Sequence, residues 1–209
     1  MAARRTSPRK ERKIARKVGT RPVKQSFLIV CEGLNTEPDY FNAFRLTSAR
    51  VKAVGKGLGV VSLVKEAISI RREEQRKGKT YDHCWVVFDK DDFPDDDFNE
   101  AIRLAEANDF NAAWSNQAFE FWFILHYICY RGPLHRSRYA DMITKLTGIP
   151  YSKKQGVGAA MYNLLFPRLE TAIANAQLVL ADFPGTSPAN AESATTVFLL
   201  AKKLREFMD

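Results

Sequence analysis

In Cys84-Trp85-Val86-Val87-Phe88-Asp89-Lys90-Asp91-Asp92 an apolar run ends abruptly in three carboxylates around one lysine. The first five residues are rich in β-branched and aromatic types and read as a buried strand. In an open α/β sheet, chemistry sits just beyond the carboxyl ends of strands. Asp89 and Asp91 are two apart, so in an extended segment their side chains project to the same side. Two carboxylates held close repel each other unless a cation lies between them, and hard oxygen donors suit Mg²⁺ or Mn²⁺. The same run also reads, by itself, as an acidic turn after a strand.

Outward from this run the pattern alternates strand and helix. Phe27-Leu28-Ile29-Val30-Cys31 is continuously apolar, as expected for a strand covered on both faces. A helix is expected over 37–45, with Thr36 as N-cap and Pro38 in its first turn. A short strand follows at 51–54. Residues 60–76 carry apolar residues at helical spacing and stop before Gly78. Further expectations are a strand at 83–88, a helix at 97–108, a strand at 110–114 and a helix at 118–130. This order predicts an α/β fold, a mostly parallel four-stranded sheet with right-handed crossovers. After Arg131-Gly132-Pro133 the character changes. Residues 137–147, 158–181 and 193–208 read as helices, so a helical section over 132–209 is expected to pack on an α/β core over 25–131.

The net charge of +8 is not spread over the chain. Residues 1–24 hold ten Lys or Arg against one Glu, which leaves 22 basic and 23 acidic residues beyond them. Such a segment is expected to be disordered in isolation and able to neutralise nucleic-acid phosphates through Arg4, Arg5, Arg9, Lys10, Arg12, Lys13, Arg16 and Lys17. It lacks the apolar stretch of a secretory signal, and no run is long enough to span a membrane. The three cysteines are scattered, without metal-ligand spacing, and imply a reducing, cytoplasmic setting.

Other strand ends also finish in polar groups. Glu32 closes the first strand, and Gly33 after it lets the backbone turn close to a ligand. The fourth strand ends in Trp114-Ser115-Asn116, with Glu120 opening the next helix. Glu37 could reach a metal or simply favour its helix N-terminus, and Glu120 has the same two readings. Lys153 stands in a polar loop where a phosphate-binding lysine could sit, or a solvated one. His126, on an apolar helix, reads first as a core histidine. The aromatic residues around it read as core rather than as base-stacking platforms.

The succession Cys31-Glu32-Gly33, Thr36-Glu37, Tyr40-Phe41, Phe88-Asp89-Lys90-Asp91-Asp92-Phe93, Ser115-Asn116, Phe119-Glu120, Trp122, His126, Tyr151 and Lys153 resembles the RloB-like family, over roughly residues 25–205. Its Glu-Gly and Asp-x-Asp pair also resembles the TOPRIM domain of topoisomerases, primases and overcoming-lysogenisation-defect nucleases. The chain departs from the family's pattern at Gln117, where proline is usual, and at Asn190-Ala191-Glu192-Ser193-Ala194-Thr195. The resemblance implies a TOPRIM/Rossmann-like fold and a metal-dependent phosphoryl-transfer site in a phage-defence nuclease. Asp89 and Asp91 would hold Mg²⁺ (or Mn²⁺), with Glu32 a ligand or the general acid/base. Glu37 and Glu120 would be further metal ligands, Lys153 a catalytic lysine, and Ser115 and Asn116 substrate-positioning residues. Nucleic acid is the implied partner, with restriction–modification components or a companion ATPase beside it; DNA or RNA, and a homo-oligomeric state, stay open. The rival reading is a non-catalytic nucleic-acid-binding or adaptor module. Nucleotidyl transfer as in a primase ranks lower, because the chain shows no zinc-binding cysteine set and no second catalytic domain, and a topoisomerase would need a strand-passage gate and a tyrosine domain for which 209 residues leave no room. Haloacid-dehalogenase-like phosphatases carry Asp-x-Asp on their first strand rather than the third.

Overall fold

The computed structural model describes residues 25–46, 49–53 and 59–208. The basic segment 1–24, with the eight phosphate-binding candidates from Arg4 to Lys17, lies outside the described residues. Four strands, β1 (Phe27–Cys31), β2 (Ala49–Ala53), β3 (His83–Asp89) and β4 (Asn111–Ser115), form one parallel sheet in the order β2-β1-β3-β4. Every residue of β1 is buried, and so is β3 from Cys84 onward. Strands without a solvent face need helices on both sides, which is why they read as unbroken apolar runs. The expected α/β architecture, a parallel sheet flanked by helices, is what the chain forms.

Four helices belong to the crossovers and the rim: α1 (Thr36–Asn42), α2 (Val60–Arg76), α3 (Asp95–Glu106) and α4 (Glu120–Leu125). In α2, Val60, Leu63, Val64, Ala67 and Ile68 are buried. Their i, i+3, i+4, i+7 spacing makes one apolar stripe, and each large side chain so buried contributes about 1.5–3 kcal/mol. Gly78 ends α2 at a φ of 76°, where its amide donates to the Gln75 carbonyl. Only glycine takes that left-handed conformation without strain.

Beyond Gly132 come α5 (Tyr139–Thr147), α6 (Val157–Leu165), α7 (Leu169–Leu180) and α8 (Val197–Arg205). α6 packs on α1, α7 on α4, and α8 on both α7 and β4. The helical section is therefore continuous with the core. Leu200, Ala201 and Leu204 of α8 are as buried as the strands.

Several expected boundaries shift for local physical reasons. The helix expected over 118–130 closes at Leu125; its last amides bond three residues back, as Tyr127 does to Ile124, and the chain then runs out to Gly132 and Pro133. The single helix expected over 158–181 is broken by a 3₁₀ turn at Phe166–Arg168. Pro167 lacks an amide hydrogen and collides with the preceding turn. The last helix starts at Val197 rather than 193, because Thr195 and Thr196 bond to β4 first. The Thr196 amide donates to the Trp114 carbonyl (2.8 Å), and the Trp114 amide donates to Thr196 Oγ1 (2.9 Å). An antiparallel bridge joins Ser115 to Thr195, a strand-like contact where none was expected. Thr36 does not cap α1: it is the first helical residue, and Asn35 precedes it without a side-chain cap.

Candidate functional site

Parallel registry brings the strand ends together. Cys31 lies opposite Val87, and Asp89 opposite Ser115, so β1, β3 and β4 finish along one rim. Glu32, one residue past β1, donates its amide to the Val87 carbonyl (2.9 Å) and accepts the Asp89 amide on Oε2 (3.3 Å). Both acids are largely buried, at 9% and 7% exposed.

Two helices add two more acids. α1 carries Glu37 and α4 carries Glu120, both buried. The helices are locked together by Tyr40 and Trp122: the indole N–H donates to the Tyr40 hydroxyl at 2.9 Å. Tyr40 is also packed edge-on against Phe41 and Phe119. Glu37 and Glu120 thus stand on a rigid aromatic platform. Gly33 makes room for Glu37, since a Cβ there would lie 2.1 Å from Glu37 Oε2.

The C-terminal section closes the site. Between Gly148 and Gly156, which end α5 and begin α6 in the left-handed conformation, a loop carries Tyr151 and Lys153 inward. The Tyr151 hydroxyl and Lys153 Nζ both donate to Glu120 Oε1, each at 2.9 Å. α6 presses on α1 so closely that a Cβ on Gly158 would come within 2.1 Å of the Thr36 carbonyl. The Gly156 amide donates to Asp39 Oδ2 (2.7 Å), tying the loop's end to the same helix.

A cavity of about 200 Å³ opens here, lined by residues 33–36 with Glu32, Glu37, Asp89, Asp91 and Lys153. Its electrostatics are those of crowded acids. Burial, then Glu37, Glu120 and Asp91, push the Asp89 carboxyl well above the usual carboxylate range. Glu37 is raised to about 7, first by burial and then by Glu120 and Glu32, with Lys153 opposing. Burial pulls Lys153 down, but Glu120, Asp89 and Glu37 outweigh it and the ammonium is held above its ordinary value. Asp89 Oδ1 is buried with no hydrogen-bond partner among the described residues.

Asp91 is placed differently from the expectation. β3 ends at Asp89, and Asp91 takes a φ of 43° in the turn that follows. The extended-strand argument therefore does not apply to it, and the turn places it among the residues that line the cavity. Arg136 Nη1 binds Asp91 Oδ1 while Nη2 binds Asp92 Oδ2. Lys90 turns away, pairing with Asp95 at 2.9 Å and donating to the Phe93 carbonyl at 2.6 Å. Ser115 and Asn116 face the C-terminal segment: Ser115 Oγ shares a hydrogen bond with Thr195 Oγ1 (3.1 Å), and Asn116 Nδ2 donates to the Ala189 carbonyl (2.8 Å). The peptide bond after Asn116 is cis. His126 is fully buried, its Nδ1–H donating to the Trp122 carbonyl at 2.9 Å, a core histidine as expected. Arg136 is the functional-looking residue that sequence reasoning missed. It lies 45 positions from its partner, in a segment with no motif.

No group of three or more His, Cys, Asp or Glu side chains stands at metal-holding spacing among the described residues. The donor chemistry nonetheless fits a hard cation. Glu32, Glu37, Asp89 and Glu120 supply only oxygens, and Asp89 Oδ1 has no other occupant. The described cysteines are free, and no described helix is long and apolar enough to cross a membrane.

A family model described as RloB-like protein matches residues 27–204, which takes in every element from β1 to α8 save the last residue of α8. No curated protein and no solved structure matches the chain. The match spans the carboxylate rim, the aromatic platform and the closing loop together, and the chain belongs to the RloB-like protein family.

Proposed function

We propose that the protein is a metal-dependent nuclease, or a related phosphoryl-transfer enzyme, acting on nucleic acid through a TOPRIM-like site. The observation that carries the reading is the partnerless, buried Asp89 Oδ1 among three other buried acids. Burying several carboxylates side by side is costly unless a cation or protons neutralise them. Asp89 and Glu32 would hold Mg²⁺ or Mn²⁺, with Asp91, Glu37 and Glu120 as further oxygen donors. When bound, such an ion supplies Lewis-acid polarisation of a phosphodiester and a more acidic water.

The chain's own groups supply the rest. Lys153 is poised to hold a phosphate oxygen: it is one of the residues lining the cavity, and its side chain keeps 55% of its surface exposed. With no cation bound, Glu37 is raised to about 7, chiefly by burial, so a cation would have to displace its proton near neutrality. Glu32 keeps either role, ligand or acid/base. The Tyr40–Trp122 lock holds Glu37 and Glu120 in register with the strand ends. The setting in phage defence, the cytoplasmic location and the companion ATPase or restriction–modification partner belong to this proposal through the resemblance. The ten cationic residues of 1–24 favour a second reading, an adaptor that binds nucleic acid without cleaving it.

Purified protein incubated with plasmid, linear DNA and RNA plus Mg²⁺ or Mn²⁺ should cleave one of them, and Asp89→Ala should lose at least about 100-fold in rate. Mn²⁺ should raise the melting temperature of the wild type and not of Asp89→Ala. Cleavage undiminished in Asp89→Ala overturns the site. Phosphate binding with neither cleavage nor metal stabilisation selects the adaptor.

A further inference from the structure

Asp91 lines two hollows. One is the acidic cavity; the other, of about 400 Å³, is lined by Lys90, Asp92, Asp95, Asn116, Gln117 and His135, among others. Arg136 engages its carboxylate from the C-terminal section. We propose that Arg136 is the resident counter-ion of Asp91: it holds that carboxylate while no divalent cation is bound, and yields it when one binds. The inference rests on the proposed metal site and deepens it, by naming the residue that sets how readily the site loads.

Three observations carry it. First, the guanidinium forks across two acids, one arm on Asp91 and one on Asp92. Asp92 keeps Arg136 at the rim even when the Asp91 arm is released. Second, Gln117 holds both partners by their backbones: its Oε1 accepts the Arg136 amide (2.9 Å) and its carbonyl accepts the Asp91 amide (3.0 Å). The two backbones are thereby pre-positioned for the pair. Third, the Arg136 and Asp91 side chains are 30% and 32% exposed. An ion pair open to water is weak enough to exchange, worth a factor of a few in an equilibrium constant. A guanidinium and a divalent cation on one carboxylate repel each other, so occupancy by one weakens the other.

Arg136 is on this account a positioning residue, and the readout is metal binding rather than turnover. Mn²⁺ binding to the full chain would be measured by the paramagnetic resonance signal of free Mn²⁺, with circular dichroism and melting to verify folding. Arg136→Gln should bind Mn²⁺ roughly 2- to 5-fold more tightly than wild type. Adding Asp91→Asn to it should remove the gain. Raising NaCl should narrow the difference between wild type and Arg136→Gln, because the pair is screened. Arg136→Lys, which keeps the charge without the fork, should give a smaller gain and serves if the glutamine variant does not fold. If wild type binds Mn²⁺ in an Asp89-dependent way and folded Arg136→Gln binds it no more tightly, the exchange is overturned and the metal site stands. If neither wild type nor Arg136→Gln binds Mn²⁺, both are overturned.

Discussion

Asp89 and His126 are both buried and titratable, and burial pushes them in opposite directions because it disfavours whichever form is charged. Asp89 is raised, chiefly by burial and then by its acidic neighbours. His126, with no acid beside it, is lowered to about 4 by burial, partly offset by its backbone bonds to Trp122 and Phe123. For a histidine lowered in the folded state, protonation favours unfolding. Its contribution is fully present above the ordinary histidine range and is lost as pH falls from about 6.5 toward 4. The span amounts to roughly 3 kcal/mol at about 1.36 kcal/mol per pH unit. His126→Gln keeps an amide able to reach the Trp122 carbonyl but cannot take up the proton. Denaturant unfolding from pH 6.5 to 4.5 should therefore show wild type losing more stability than His126→Gln. Parallel losses in the two proteins would remove His126 from the acid response.

Two glycines separate the making of an element from the making of the site. A Cβ on Gly158 would meet the Thr36 carbonyl and the Tyr40 amide, backbone atoms of α1 that cannot move aside. Gly158→Ala should cost about 1–3 kcal/mol by chemical denaturation. The atoms nearest to a Cβ on Gly33 would be those of the Glu37 carboxylate, the far end of a side chain. Gly33→Ala should leave stability within about 1 kcal/mol of wild type while weakening Mn²⁺ binding, because the acid rather than the fold gives way. Equal effects of the two substitutions on stability and on binding would contradict this division. The same scale shows what was legible in the sequence. β1 and β3 could be read from their unbroken apolar runs, and the acids at their ends followed from parallel strand logic. α4 is shorter than its apolar run because Tyr127, Ile128 and Tyr130 are apolar without being helical; they pack against the core from a loop. Pro167 is a local signal for the break between α6 and α7. The Arg136–Asp91 pair and the Thr195–Ser115 bridge join residues 45 and 80 positions apart, and no local pattern encodes such pairings.

At the scale of the whole molecule, charge is divided between two parts. The body beyond residue 24 is nearly neutral, with acids gathered at one rim, and the first 24 residues carry the cationic excess. An acidic rim repels phosphates, so phosphate affinity would have to come from the arm, from Lys153 and from a bound cation. Removing residues 1–24 should leave the melting temperature unchanged, since that stretch is mostly charged and polar and offers few apolar side chains to bury. It should lower the salt dependence of nucleic-acid binding by about 0.9 in logarithmic slope for each duplex phosphate that the arm had neutralised. An unchanged slope would mean that the arm does not hold phosphates.

The segment at 194–196 has a consequence of another kind. β4 is one of the two edge strands of the sheet, with β2 the other, and an open edge offers its amides and carbonyls to any other extended chain. Here that edge is already occupied: the Asn116 amide donates to the Ala194 carbonyl (2.8 Å), the Thr196 amide to the Trp114 carbonyl (2.8 Å), and Thr196 Oγ1 to the Ala112 carbonyl (3.0 Å). A short strap from the C-terminal section thus denies neighbours a place to pair along β4.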